Sequence, residues 1–182
     1  MTPDNPRPRD GMRYGIDNGA WGAYKQQSRF DGEAFTRLVD KHGAAADFIV
    51  IPDIVAGGMD SLRFSVSWLP YLRGRTLLLP VQDGMDTRAV IEVLHGNPHV
   101  GLFLGGSTEW KLRTMYQWGE MAQAMRRHYH VGRVNTARRI RLAAEAGADS
   151  FDGTSATRYA CTLPLLESSR QQPSLLTPGV FA

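Results

Sequence analysis

TLLLPVQDGMDTRAVIEVLHGNPHVGLFLGG, residues 76–106, places two short apolar runs on either side of a helical segment. The runs TLLLPVQ (76–82) and VGLFLGG (100–106) are near-continuous rather than alternating, which suits strands covered on both faces. Between them, Asp86 or Thr87 stands where a helix cap belongs, and that helix runs to His95 before Gly96. The alternation extends in both directions. Further strand signals are MRYGID (12–17), DFIVIPD (47–53), HYHVGRV (128–134) and DSFDGT (149–154), and helical patterns fill 31–43, 58–72, 108–127 and 136–147. About six βα repeats in roughly 160 residues indicate a parallel sheet. An eight-unit barrel takes about 250 residues. The expected fold is therefore α/β, a short or reduced (β/α) TIM-type barrel. An open parallel sheet, or a barrel closed by elements that the pattern does not reveal, stays open.

The 182 residues fit one domain, 1–182. A polar, proline-rich start, MTPDNPRPRDG (1–11), reads as a loose arm, and the polar stretch 168–182 reads as a peripheral tail. Net charge is +3, but residues 126–141 concentrate Arg126, Arg127, Arg133, Arg138, Arg139 and Arg141 with no acid among them. That suits a polyanionic partner or a solvated helix face. The single cysteine, Cys161, excludes an intrachain disulfide and a multi-cysteine zinc site. No apolar run approaches the ~18 residues of a membrane span, and no signal-peptide pattern is present, so a cytoplasmic location is expected.

Acidic residues stand where the strand signals run out: Asp17, Asp53, Asp83, Asp149 and Asp152. In a parallel α/β protein the C-terminal strand ends share one face, and ligands bind there. Asp149 and Asp152 flank the strand-like Ser150–Phe151, so period-two geometry sends only one of them into a site. Asp152, beside Gly153, suits a nucleophile or base, or else a helix cap. Gly105 and Gly106 follow a strand directly and suit backbone contact with a phosphate or a flat heterocycle, or simply a tight turn. Gln82 carries both donor and acceptor, and with Asp53 it can read a purine-like edge. Trp21 and Tyr24 suit stacking on a ring, although core packing is the ordinary fate of such residues. His128 and His130 form a His-x-His pair with no third ligand at useful spacing, so no metal is expected.

Taken in order, these strings resemble the tRNA-guanine transglycosylase family, and more closely its DpdA-type DNA-modifying branch from phages and bacteria. The resemblance covers about residues 14–158. SFDGTSATR is similar to the family's nucleophile segment, with Asp152 at the nucleophile's position. IDNGA is similar to the segment carrying its acid/base aspartate, matched by Asp17. PVQDG, LFLGGSTEW and PDIVAG are similar to its base-binding segments, matched by Gln82, Gly105 with Gly106, and Asp53. The resemblance implies exchange of guanine for a 7-deazaguanine such as preQ0, with no cofactor. The family's RNA enzymes carry a zinc site of three cysteines and a histidine; the lone Cys161 departs from it and favours DNA over tRNA as the polymer. HVGRVN with Arg133, Arg138, Arg139 and Arg158 is then expected to meet phosphates. For a phage-encoded protein the cytoplasm is the host's. A second copy covering the edges of a short barrel is a further expected partner. Two other readings remain: a phosphate-binding (β/α) barrel lyase or isomerase using the Gly105–Gly106 turn, and a non-enzymatic DNA-binding module using only the arginines.

Overall fold

The computed structural model describes residues 1–8, 11–153 and 163–167. It is an α/β structure whose five parallel strands curl into a half-barrel. The elements run α1 (Ala20–Lys25), α2 (Gly32–His42), β1 (Ile49–Val50), α3 (Gly58–Trp68), β2 (Leu77–Val81), α4 (Thr87–Gly96), β3 (Val100–Leu104), α5 (Thr108–Ala124), β4 (Tyr129–Val131), α6 (Ala137–Glu145), β5 (Ser150–Phe151) and α7 (Leu163–Glu167). Sheet order follows chain order, β1 to β5. Ile16 adds one parallel bridge to Ile49, so the first expected strand is reduced to a single rung beside β1.

Four helices, α2, α4, α5 and α6, begin where a side chain satisfies free N–H groups, whereas α1 and α3 start after Gly19 and Gly57 without a side-chain cap. Asp31 accepts from the Ala34 amide, Asp86 from Arg88 and Ala89, Ser107 from Trp110, and Thr136 from Arg139. Of the two candidate caps at the start of α4, Asp86 is the one used. Helix α1 is only six residues long, too short to show a helical apolar period in the sequence.

The strands sort their side chains into two faces. Leu77, Leu79, Val81, Leu102, Leu104, Tyr129 and Val131 join the buried core with Phe35, Leu38, Val90, Leu94, Met115 and Trp118 from the helices. The other face carries Pro80, Phe103, His130 and Ser150 in one row of aligned partners. Curling brings this face together: the Phe48 ring, just before β1, lies 5.2 Å from that of His130 on β4. The inside of the half-barrel is thus a packed layer, as barrel interiors are. Gly132 makes part of it possible, since a Cβ there would sit 2.6 Å from the Phe103 ring.

The start of the chain is tethered rather than loose over its first residues. The Met1 amino group donates to the Gly15 carbonyl at 2.6 Å, and the Asp17 amide donates to the Met1 carbonyl at 2.8 Å. Thr2 and Asn5 form a small antiparallel bridge. The expected tail, 168–182, lies outside the described residues. Among the described residues no helix is long and apolar enough to cross a membrane.

Candidate active site

Parallel strands deliver their C-terminal ends to one rim, and a cavity of about 440 Å³ opens there. Its wall includes Asp17 beyond the Ile16 rung, Asp53 beyond β1, Gln82 and Asp83 after β2, Gly105 and Gly106 after β3, Arg133 after β4 and Asp152 after β5. All six expected catalytic and base-binding residues therefore meet around one space. Asp149 does not join them. It precedes β5, at the opposite end of the sheet, and its carboxylate accepts the Tyr129 amide at 2.8 Å. Asp83 stands at the rim, but its two oxygens accept from the Ser107 amide and hydroxyl, both at 2.7 Å, and fix the turn before α5.

One corner of the cavity is built from amides around Asp53. The buried Asn18 donates through Nδ2 to the Ile51 carbonyl at 2.8 Å and to Asp53 Oδ1 at 2.9 Å. Gln82 Nε2 donates towards Asp53 Oδ2 at 3.2 Å, the Ile54 carbonyl at 3.0 Å and Ser61 Oγ at 2.8 Å. Burial pushes the Asp53 carboxyl up to about 6 against the pull of Asn18, and the charge of Asp17 adds to the rise. Asp17 accepts the Gly19 amide at 2.7 Å. Its carboxyl is also raised, by burial first and then by repulsion from Asp152, with the Gly19 bond opposing. A carboxyl raised in this way holds a proton more readily than an ordinary aspartate and can hand it over.

Around Asp152 the balance is the reverse. Oδ1 accepts the Arg133 amide at 2.9 Å and Oδ2 lies 3.1 Å from His130 Nε2. The backbone is also anchored, with the Asp152 amide donating to Val131 and its carbonyl accepting from Val134 at 2.6 Å. Burial alone would raise this carboxyl. The His130 and Arg133 hydrogen bonds and the nearby His130 and Lys111 outweigh it, and the result lies below the usual carboxylate range. Asp152 is thus held as an anion beside an open cavity, the condition for a carboxylate nucleophile.

The two glycines divide their work. Gly105 gives its N–H to the Val81 carbonyl at 2.9 Å, extending the sheet, so this amide cannot serve a ligand as expected from its position after a strand. Gly106 adopts φ +72°, and a Cβ there would sit 2.5 Å from an Asp83 oxygen. Its carbonyl accepts from the Arg133 guanidinium. With one amide spent and four carboxylates in the wall, Asp17, Asp53, Asp83 and Asp152, the turn is poorly suited to cradling a phosphate.

The aromatic pair departs from core packing: Trp21 is 40% exposed and Tyr24 55%, and both line the cavity. Their rings stack at 5.8 Å, and the Arg133 guanidinium lies 4.2 Å from the Trp21 ring centre. Arg133 is therefore part of the cavity wall. Arg138 and Arg139 stand in the first turn of α6 on the same rim, whereas Arg126 and Arg127 precede β4 and belong to the far end of the sheet. Arg158, with Cys161, lies outside the described residues. Lys111 turns away from the cavity: its ammonium donates to the Gly132 carbonyl, and burial, with Arg133 next in effect, lowers it to about 8.

Trp21, a candidate for stacking on a ring as well as for the core, stands at the cavity. Two participants gain roles that the sequence does not reveal. Asn18 is visible there only as part of the IDNGA string. His130 was weighed as a metal ligand, yet its partners are Asp152 and Ser150. The signal was its register, since His130 pairs with Ser150, two residues before Asp152. Compared with known proteins, the sequence matches no family model and no curated protein.

Proposed function

We propose that this chain is a guanine transglycosylase acting on DNA, built on a TIM-type (β/α) barrel in reduced form. The observation that carries the reading is the convergence of Asp17, Asp53, Gln82, the Gly105–Gly106 turn and Asp152 on one cavity, with Asp152 held ionised and Asp17 and Asp53 pushed towards protonation. A target guanine leaves the base stack to enter such a cavity. Asp53 accepts from its N–H edge, and Gln82 and the glycine turn complete the frame. Trp21 and Tyr24 offer a flat wall for the ring.

A carboxylate oxygen of Asp152 attacks the anomeric carbon as the bond to the guanine nitrogen breaks. The bonding pair leaves with guanine, and Asp17 supplies the proton that neutralises it. A 7-deazaguanine such as preQ0 then occupies the same place and loses a proton to Asp17. Its nitrogen attacks the anomeric carbon, and the Asp152 carboxylate departs. Two displacements at one carbon give retention, as in retaining glycosidases. The chain's one cysteine cannot supply the three-cysteine zinc site of the RNA enzymes it resembles, so DNA is the first polymer to test and tRNA the second.

The deciding experiment incubates the protein with DNA, and in parallel with tRNA, in the presence of radiolabelled guanine or preQ0. Label retained in DNA and lost with Asp152→Asn supports the reading in full. Label confined to tRNA keeps the chemistry and changes the polymer. No label in either polymer from folded protein refutes base exchange.

A further inference from the structure

Directly beneath Asp152 lie three polar side chains that the exchange chemistry leaves without a task. His130 is 4% exposed and is not part of the cavity wall. Its Nδ1 is 2.8 Å from Ser150 Oγ and its Nε2 is 3.1 Å from Asp152 Oδ2. Ser150 Oγ is in turn 2.7 Å from His128 Nε2, on an exposed residue. Ser150, His130 and Asp152 are the residue types of an acyl-transfer triad, in hydrogen-bonded series. Their polarity is reversed. The hydroxyl is enclosed between two imidazoles and does not line the cavity, while the Asp152 side chain is 45% exposed and does. The reacting end of this series is the carboxylate.

We propose that His128, Ser150 and His130 form an orienting relay in which Ser150 fixes the His130 ring, and His130 Nε2–H holds Asp152 aligned as the nucleophile. His130 is then a positioning residue, and this assignment of its task rests on the proposed exchange reaction. The placement of hydrogens gives the relay a direction. Asp152 Oδ2 accepts, so His130 Nε2 carries the hydrogen. In a neutral His130 ring, Nδ1 must then accept from the Ser150 hydroxyl. Ser150, its one hydrogen committed, accepts from His128 Nε2–H. Each donor thus points towards Asp152. The ring plane is fixed independently by packing: His130 stacks on Phe103 with centroids 5.0 Å apart and planes 13° apart, and Phe48 lies 5.2 Å away. The second carboxylate oxygen is held by the Arg133 amide. Together the two donors fix the carboxylate plane, which is what a nucleophile aimed at one carbon requires.

Other charged groups also face this cluster, namely Asp17 across the cavity, Lys111 from α5, Arg133 beyond β4, and Asp149 beside His128. The test must therefore isolate His130. Titration of the Asp152 carboxyl is followed by carbon NMR in protein labelled at aspartate carboxyl carbons, with Asp152→Asn identifying the resonance. His130→Ala is expected to raise the midpoint by about one pH unit or more. Ser150→Ala should raise it less, and His130→Gln, which keeps an N–H donor, should recover part of the difference. The acid limb of guanine exchange is expected to move by the same amount. An unchanged midpoint in folded His130→Ala overturns the relay, as does an acid limb that stays put while the midpoint moves. If His130→Ala does not fold, His130→Gln and Ser150→Ala carry the same test, and unmoved midpoints in both overturn it. The carboxyl titration needs no substrate. A protein with no exchange activity but with the expected titration shifts would refute the exchange reading, and with it the nucleophile role, while leaving the hydrogen-bonded hold on Asp152 established.

Discussion

Asp53 and Asp152 stand at the two edges of the sheet, after β1 and β5, yet open onto the same cavity, and their surroundings drive them in opposite directions. Burial acts on both. Around Asp53 the donors are neutral amides from Asn18 and Gln82, which do not offset it, and the proton is held to about pH 6. Around Asp152 an imidazole, a backbone N–H and the nearby Lys111 do offset it. Identical side chains in one site thus receive different affinities for a proton from their neighbours, which is how acid and base tasks are divided elsewhere.

The largest expected effect comes from deleting the anion. Asp152→Asn should lower exchange by about a thousandfold or more while leaving binding of free guanine within a few fold, read by label incorporation and by equilibrium binding. Full exchange by this variant would remove the nucleophile assignment. Asp17→Asn is expected to cost about a hundredfold or more, the usual range for a lost general acid, and least with a base analogue whose leaving nitrogen needs no proton. Equal losses for both analogues would show that Asp17 acts by some other means.

Asp53→Asn tests the other half of the comparison. The folded chain keeps the Asp53 proton to about pH 6, whereas an unfolded aspartate releases it near ~4. Between these values the folded state binds more protons, so this group makes stability fall as pH rises, with the full cost present above about pH 6. The substitution should remove that slope and raise stability at pH 7 by on the order of 1–2 kcal/mol, since water in the open cavity screens part of the effect. It should also weaken guanine binding about tenfold or more through the lost charge-assisted bond. Urea melts at several pH values check the sign. Asp152 contributes oppositely, with stability present above ~4 and lost as pH falls below it, so Asp152→Asn should destabilise the neutral protein. The smallest effect is expected from Arg138→Gln with Arg139→Gln. DNA affinity should weaken uniformly across sequences, and its logarithmic dependence on salt should become shallower by about one for each phosphate that an arginine no longer neutralises. Titrations of labelled DNA at several salt concentrations measure both.

The strands and the start of α4 were legible because each rests on local chemistry: continuous apolar runs, and Asp86 placed one residue before a helix, whereas the capping bonds of Asp31, Ser107 and Thr136 emerge only in the structure. The rim residues were legible for a similar reason, since a side chain just past a strand end is carried to the rim by the strand itself. Asp149 shows where this logic fails. A two-residue strand leaves its start and its end three residues apart, and only the register with β4 shows which carboxylate lies at which end. Long-range contacts were out of reach in the same way. The Met1 tether is made of backbone groups, which carry no residue signature. The spent Gly105 amide depends on a partner strand, and the stacking of Arg133 on Trp21 joins segments more than a hundred residues apart.

That stacked pair gives the molecule an optical reporter of its own. Trp21 is the most exposed of the four indoles, and a cation rests against its ring at the mouth of the cavity. Emission from an indole depends on what lies against it. A flat molecule entering the cavity must either slide beside that pair or lift the guanidinium away, and either event alters the light that Trp21 returns. Occupancy of the cavity can therefore be followed in real time, in unlabelled protein, before any chemistry is known to occur.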